Sequence, residues 1–259
     1  MLSKIAKLPI LKRLIPSLAI RILKKIGMNR GYYSIKGIDL YLDFLDPIDR
    51  EIILFNEFEN AEIEFLISEI KENKINYFLD IGANCGYYSF KIAEKVSNIN
   101  IFSFEPNPEA YLKFSKSLLK NFEFSNNIKL ENFGLSNENK KLKMQSMIKF
   151  GYAQTGGSAV IEKNIHKNHH EFYANFKIGD EFLNLNNKNL AIKIDVEGHE
   201  PNVLYGLKKT LESNKCILQI EIFNNNFKEV DNFLCNLGYY NFNIIQERSN
   251  YFYSNFNVD

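Results

Sequence analysis

From residue 76 onwards the chain alternates short apolar runs with segments of helical period. The runs "NYFLDIG", "NIFSFEP", "IKLENFGLS", "NLAIKID" and "CILQIEIF" each predict a strand, and helical patterns follow four of them. Apolar strands joined by helices are typical of a parallel sheet that is covered on both faces. The sequence therefore predicts an α/β fold, in which ligands bind beyond the carboxyl ends of the strands.

Three other segments have a clear pattern. Residues 32–45 alternate like a hairpin that turns near Lys36 and Gly37, and residues 58–72 have a helical period. The final segment, "YYNFNIIQERSNYFYS", predicts a hairpin of aromatic-rich strands. The connection from about 144 to 175 has no strong period, so we expect a long loop there.

The first 30 residues differ in charge from the rest of the chain. They carry eight Lys and Arg residues and no acid, and Pro9 and Pro16 interrupt their helical pattern. We expect a basic amphipathic extension over 1–30 and one large domain over 31–259. The extension could lie on an anionic membrane surface, dock on the domain or form a contact in a homo-oligomer. The net charge of +1 gives no reason to expect a nucleic acid partner.

The cysteines and the apolar runs suggest where the protein resides. Cys85, Cys216 and Cys235 are odd in number and widely spaced, which fits a reducing compartment better than a disulfide framework. No run of 18 apolar residues and no convincing signal peptide is visible. The sequence predicts a cytoplasmic protein, and the basic extension leaves contact with the inner membrane face open.

A glycine turn and an acid follow the first two strands of the predicted sheet. Gly82 and Gly86 flank the turn, while Asn84 stands where a dinucleotide fingerprint has a glycine. Glu105 follows the second strand, where an acid can accept both hydroxyls of a ribose. S-adenosylmethionine fits this pair, because Asp80, Asn84 and the turn amides could bind its ammonium and carboxylate groups.

Four blocks in order carry a resemblance to a known family. The blocks "FLDIGANCGYYSFKIA", "FSFEPNPEAYLKF", "IKLENFGLS" and "LAIKIDVEGHEPNVLYG" resemble the FkbM family of S-adenosylmethionine-dependent methyltransferases, over residues 40 to 225 approximately. The resemblance implies a class I Rossmann-like fold, with a mostly parallel seven-stranded sheet whose last strand is antiparallel. It also implies O-methylation of a hydroxyl on a sugar or related small molecule, in surface glycan biosynthesis.

The family pattern assigns the cofactor positions. An adenine pocket is expected around residues 132–136. The cofactor positions implied by the resemblance are Asp80, Gly82, Ala83, Asn84, Gly86, Tyr87, Glu105, Pro106, Asn107 and Asn132.

The block "LAIKIDVEGHE" supplies the candidate catalytic residues. If the strand stays extended, Asp195, Glu197 and His199 share one face, although Gly198 could break the alternation. His199 is the best base by its ordinary pKa, and Asp195 could bind the acceptor or the ammonium of the cofactor. Glu200 is interpreted as a solvated acid at a helix start.

A metal ion is the less favoured interpretation of the same block. Carboxylates suit Mg²⁺, but no metal site is assigned. His166, His169 and His170 have no supporting carboxylate cluster, so we expect a mobile polar segment there. The long loop is expected to shape the acceptor pocket, with Tyr152 and Gln154 as sugar contacts.

The acceptor is expected to be a small molecule or a nucleotide-linked sugar. Three other functions stay open from the sequence. They are N-methylation of a similar substrate, an NAD-linked oxidoreductase and a non-catalytic protein of glycan assembly.

Overall fold

The computed structural model describes residues 29–149, 151–161, 168–223, 225–245 and 249–258. The basic extension predicted over 1–30 lies outside these residues except for its last two positions, so it stays a prediction. His166 also lies outside them. Within the described residues, no helix is long and apolar enough to cross a membrane.

Strands and helices alternate through the central part of the chain, as the sequence predicts. The strands are β1 (Arg30–Ile35), β2 (Ile38–Asp43), β3 (Tyr77–Ile81), β4 (Asn100–Phe104), β5 (Ile128–Glu131), β6 (Gly134–Ser136), β7 (Lys140–Lys149), β8 (Tyr152–Ala153), β9 (Ala159–Val160), β10 (His169–Ile178), β11 (Asn189–Ile194), β12 (Lys215–Glu221), β13 (Tyr240–Ile245) and β14 (Asn250–Ser254). The helices are α1 (Pro47–Phe55), α2 (Asn60–Glu72), α3 (Tyr87–Lys95), α4 (Pro108–Lys120), α5 (Gly179–Phe182), α6 (Glu200–Gly206), α7 (Lys208–Ser213) and α8 (Phe227–Asn236).

Seven strands form the main sheet, in the order β13-β14-β12-β11-β3-β4-β5. Neighbours from β12 to β5 are parallel, and β14 is antiparallel to both β12 and β13. Adjacent residues of β3 enter different cores: Phe78 packs with α2, α3 and α4, and Leu79 packs with α6, α7 and α8. The predicted class I fold, with helices on both faces and an antiparallel last strand, is confirmed.

The two predicted hairpins are confirmed by strand pairing. Strand β1 pairs antiparallel with β2 around Lys36 and Gly37, and β13 pairs with β14. Pro108 lies in the first turn of α4, and the side chain of Asn107 accepts a hydrogen bond from the amide of Glu109 as the N-cap.

The stretch 128–136 is two strands, although the sequence predicted one. Strand β5 belongs to the main sheet, whereas β6 pairs parallel with β10 in a second sheet. Between the two strands, Phe133 packs against Phe104 and Phe182. Gly134 then lets Phe176 lie directly on the backbone, where a Cβ would come within 2.4 Å of its ring.

The expected long loop over 144–175 is wrong. Strands β7, β8, β9 and β10 occupy this region and form a five-stranded sheet with β6. His169 and His170 therefore lie in β10, paired with β7, and not in a mobile polar segment. The hydrophobic pattern of this part of the sequence is weak because most side chains of β7 and β10 are only half-buried or exposed.

The helix predicted after the fourth strand is divided at Leu207. Helix α6 ends at Gly206, and α7 begins at Lys208. Gly206 packs on the backbone of β6, where a Cβ would come within 1.9 Å of the carbonyl oxygen of Ser136. This contact holds α6, which begins beside the acidic block, against the second sheet.

Candidate active site

A cleft lies at the carboxyl ends of β3, β4 and β11. The second sheet and residues 155–158 form its other wall. Seven predicted site residues line it, and they come from both the cofactor group and the catalytic group. They are Gly82, Asn84, Glu105, Pro106, Asp195, Glu197 and His199.

Gly82 brings the two groups together. Its φ of 86° belongs to the left-handed region, and its amide donates to the carbonyl oxygen of Phe104 at 3.0 Å. A Cβ at this position would come within 1.9 Å of the carbonyl oxygen of Asp195. The turn after β3 therefore touches the end of β11, because no side chain separates the two backbones.

Glu105 lines the cleft with both carboxylate oxygens held by the backbone. They accept hydrogen bonds from the amides of Asn84 and Asn107, each at 2.7 Å. Burial raises the pKa of Glu105 to about 7, against the lowering effect of these two bonds. Each oxygen keeps a second lone pair that a hydroxyl group could use. The geometry is compatible with the predicted ribose contact.

Asp80 lies beneath the cleft and does not line it. It is 1% exposed, and its Oδ2 accepts from Ser89 Oγ at 2.6 Å. Its Oδ1 has no hydrogen-bond partner in the part of the chain that the structure describes. Burial raises the pKa of Asp80, while the charge of Lys193 opposes this shift. The Gly82 turn lies between Asp80 and the cleft. Asp80 could therefore act on the cofactor ammonium only across this turn.

The other predicted cofactor residues do not line the cleft themselves. Asn107 caps α4 and donates from Nδ2 to Ser158 Oγ at 2.8 Å, and Asn132 donates to the carbonyl oxygen of Glu105 at 2.9 Å. These contacts fix the loops after β4 and β5. The cleft wall in the expected adenine region is formed by residues 134 and 135. Ala83, Gly86 and Tyr87 are also absent from the described lining.

Asp195 lies at the end of β11 between a cation and an acid. Its Oδ2 accepts from Lys193 Nζ at 2.8 Å. Burial, and then the charge of Asp195, raises the pKa of Glu221 to about 9. The carboxyl groups of Glu221 and Asp195 are hydrogen-bonded to each other.

The expectation that Asp195, Glu197 and His199 share one face is wrong. Glu197 has φ of 53° and Gly198 has φ of 101°, so the extended geometry ends directly after Val196. Glu197 instead faces the opposite wall, where a Cβ on Gly157 would lie 3.6 Å from its Oε1. Burial, and then the charges of Asp195 and Glu200, raises the pKa of Glu197 to about 7.

His199 is buried at the edge of the cleft, with 6% of its surface exposed. Its Nε2 lies 3.0 Å from Ser136 Oγ, and its ring meets Phe176 edge-on. Burial, and then the charge of Lys140, lowers the pKa of His199 to about 4. The imidazole is therefore neutral at pH 7 and is a weak base.

Glu200 begins α6 as predicted, but it is not solvated. It is fully buried, and its Oε1 accepts from the amide of Gly198 at 2.7 Å. Its Oε2 accepts from Asn226 Nδ2 at 3.1 Å, and the same Nδ2 donates to the carbonyl oxygen of Gly198 at 2.9 Å. Glu200 and Asn226 thus hold the Glu197–Gly198 turn in its left-handed conformation.

A buried network that the sequence reasoning missed anchors the opposite wall. Asp46 Oδ2 accepts from the amide of Thr155 at 2.7 Å, and Lys113 Nζ donates to Thr155 Oγ1 and to Asp49 Oδ2, each at 2.6 Å. Thr155 Oγ1 also lies 3.3 Å from Asn84 Oδ1. The wall over residues 155–158 is therefore tied to the cofactor turn. The signal for buried ion pairs that the sequence offers is a lysine among apolar residues, as at Lys113 and Lys193.

The structure separates two predicted sugar contacts from the cleft. Tyr152 and Gln154 line a different, narrow crevice, together with Arg30 and Asp43. The long loop was expected to place them at the acceptor, but the pairing of β8 with β7 directs them to the first hairpin. Within the described ranges, no group of three or more His, Cys, Asp or Glu side chains could hold a metal ion.

Comparisons with known proteins identify relatives of this arrangement. The family model of the methyltransferase FkbM domain matches residues 80–240. Methyltransferase 1 of Beauveria bassiana is 27% identical over 184 residues, which cover 59% of this chain and 70% of that protein. Hexuronic acid methyltransferase AglP of Haloferax volcanii is 26% identical over 167 residues, which cover 62% of each chain. The chain thus spans less than two thirds of the second relative.

A solved structure shares the fold. A protein assigned as an O-methyltransferase from Klebsiella pneumoniae has a TM-score of 0.50 and 10% identity, with 92% of this chain and 95% of that chain covered. At this identity the likeness concerns the fold alone.

Proposed function

Because the chain belongs to the FkbM family of S-adenosylmethionine-dependent methyltransferases, we propose that it methylates a hydroxyl of a sugar or related small molecule in surface glycan biosynthesis. One observation carries the proposal. The Gly82 turn, Glu105 and Glu197 all line one cleft, so a cofactor and an acceptor could meet within it. The relative that methylates a hexuronic acid supports a sugar as the acceptor class.

The cofactor side of the cleft fits S-adenosylmethionine by its donor and acceptor chemistry. Glu105 offers two carboxylate oxygens to the ribose hydroxyls, and Asn84 with the neighbouring turn suits the amino acid end. Leu135 and Met144 add apolar wall for an adenine ring. When bound, S-adenosylmethionine supplies an electrophilic methyl group. The side chains of the cleft have to orient the acceptor and remove its proton.

Glu197 is the base that the geometry favours. A hydroxyl must lose its proton during or after methyl transfer, and a carboxylate within hydrogen-bond reach can accept it. Glu197 lines the cleft, and its pKa of about 7 leaves it partly deprotonated at neutral pH. His199, which the sequence favoured, has a pKa of about 4 and ranks second. We assign Asp195 the role of orienting the acceptor, because it lines the cleft and its carboxylate is held by Lys193.

A methyl-transfer screen tests the proposal directly. The purified protein is incubated with S-adenosylmethionine carrying a labelled methyl group and with a panel of methyl glycosides and nucleotide-linked sugars. We expect label on a sugar oxygen, located by mass spectrometry and NMR. Tight cofactor binding without transfer to any member would contradict the proposal and favour a non-catalytic protein of glycan assembly. Label on nitrogen would identify an N-methyltransferase.

A further inference from the structure

A second groove opens from the cleft beside the Glu197–Gly198 turn. It shares Val160, Glu197 and His199 with the cleft. Asn202, Asn226 and Glu229 form its outer part, from the helices that follow β11 and β12. A molecule in this groove would contact Glu197, and Glu105 is not among the residues that line the groove.

We infer that this groove is the acceptor subsite, and that it prefers sugars that are neutral or carry an amine over sugars that carry a carboxylate. The inference rests on the proposed methyl transfer and adds the charge of the substrate to it. It concerns the part of the acceptor that lies beyond the reacting hydroxyl.

The lining has the chemistry that recognises hydroxyl groups. Carboxylates accept hydrogen bonds from hydroxyls, and side-chain amides both donate and accept. His199 adds a buried polar atom at the junction with the cleft, because its Nδ1 has no hydrogen-bond partner within the described ranges. Its Nε2 is already engaged with Ser136 Oγ, and Nδ1 is itself buried, so a ligand could reach Nδ1 only if the groove widened there.

The charge of the lining opposes an anionic ligand. Glu229 and Glu197 line the groove, and the buried Glu200 lies behind the turn. Glu229 is exposed and accepts a hydrogen bond from the Tyr205 hydroxyl at 2.8 Å, Glu197 is partly deprotonated at neutral pH, and burial raises the pKa of Glu200. No Lys or Arg is among the groove residues that the structure describes. His199 stays neutral because burial lowers its pKa to about 4. A sugar carboxylate would lose hydration here and meet like charges, whereas an ammonium group would meet opposite ones.

The inference separates this chain from one of its relatives. The Haloferax volcanii protein is a hexuronic acid methyltransferase, and its acceptor therefore carries a carboxylate. For this chain we expect the opposite preference within a similar class of substrate. Specificity of this kind is a difference between two affinities, and like charges on the wrong substrate are a common way to achieve it.

Binding of matched sugars tests the inference without relying on turnover. The full chain with S-adenosylhomocysteine is mixed with the methyl glycosides of glucose, glucosamine and glucuronic acid, and with the galactose series. Saturation-transfer NMR then measures each affinity. We expect the uronide of a series to bind at least about fivefold more weakly than the neutral sugar, as one like-charge contact predicts.

A charge reversal in the groove provides the matched variant. Glu229→Lys should strengthen uronide binding by about threefold to tenfold and leave the neutral sugar within about twofold. Glu212→Lys makes the same charge change on α7, close to the amino end of β12 and away from the groove, and should alter neither affinity. Thermal unfolding of both variants checks that the fold is intact.

The outcomes distinguish this inference from the proposed function. Uronide binding equal to or tighter than that of the neutral sugar overturns the inference, and so does the absence of binding by every sugar. Methyl transfer to a uronic acid in preference to its neutral counterpart leaves the proposed function standing and removes the inference. If the sugars bind in the predicted order but none is methylated, the result supports the inferred charge preference of the groove and contradicts the proposed function.

Discussion

The protonation of Glu197 gives the sharpest test of the catalytic geometry. A base must be deprotonated to act, so turnover should rise with pH as Glu197 ionises. With a pKa of about 7, the deprotonated fraction is about one tenth at pH 6 and about nine tenths at pH 8. We therefore expect kcat to increase by about tenfold between these two values.

Replacement by the neutral isostere removes the base and keeps the side-chain volume. Glu197→Gln should lower kcat by about a hundredfold or more, which is the usual contribution of a general base. The residual activity should lose the inflection near pH 7. Glu212→Gln, at an exposed position of α7, is the control for a change of one charge.

Glu105 titrates in the same range and has to be separated from Glu197. Its pKa is also about 7, but its expected partner is the cofactor. Measuring kcat at saturating S-adenosylmethionine, and the cofactor affinity by calorimetry at each pH, assigns the two effects. If Glu197→Gln retains both the activity and the inflection, the assignment of Glu197 is refuted. A wild-type profile that stays flat from pH 6 to pH 8 would instead favour His199.

Three other expectations concern the cofactor and the stability of the cleft. Glu105→Ala should weaken S-adenosylmethionine binding by at least about tenfold in calorimetry, because the ribose loses its acceptor, and unchanged affinity would exclude that contact. Lys113→Met should lower the free energy of unfolding by about 3–5 kcal/mol in urea titration at pH 8, since Asp49 would be buried without its cation. The loss should be smaller at pH 5, where Asp49, whose pKa is already about 6, can take up a proton; equal losses would contradict the ion pair. Gly82→Ala should cost about 2 kcal/mol or more, because the new Cβ would overlap the carbonyl of Asp195, and a wild-type denaturation curve would show that the turn yields easily.

The parts of the fold that the sequence predicted are those with strong local patterns. Strands β3, β4, β11 and β12 are nearly continuous apolar runs because they are buried on both faces. The second sheet was not predicted because its strands are polar and half-exposed. Whether these segments form strands depends on their pairing with distant segments of the chain. Residues such as Met144 and Phe176 form a core of their own that no short window reveals.

The sequence predicted which residues belong to the site better than it predicted where their side chains point. The order of Gly82, Glu105 and Asp195 along the chain placed them at one edge of the sheet, because parallel strands end together. The direction of Glu197 depends on the left-handed turn that Glu200 and Asn226 hold, which is a tertiary effect. The weak basicity of His199 also follows from burial, which its position after a glycine could not indicate.

The anchoring of Thr155 by Asp46 bears on the smallest unit that can fold. The family match begins at residue 80, yet Asp46 and Asp49 belong to α1 and its cap. A fragment over 80–240 would also lack β14, which fills the interior of the sheet between β12 and β13. The segment that the family model matches is therefore shorter than the part of the chain that builds the main sheet and anchors the cleft wall.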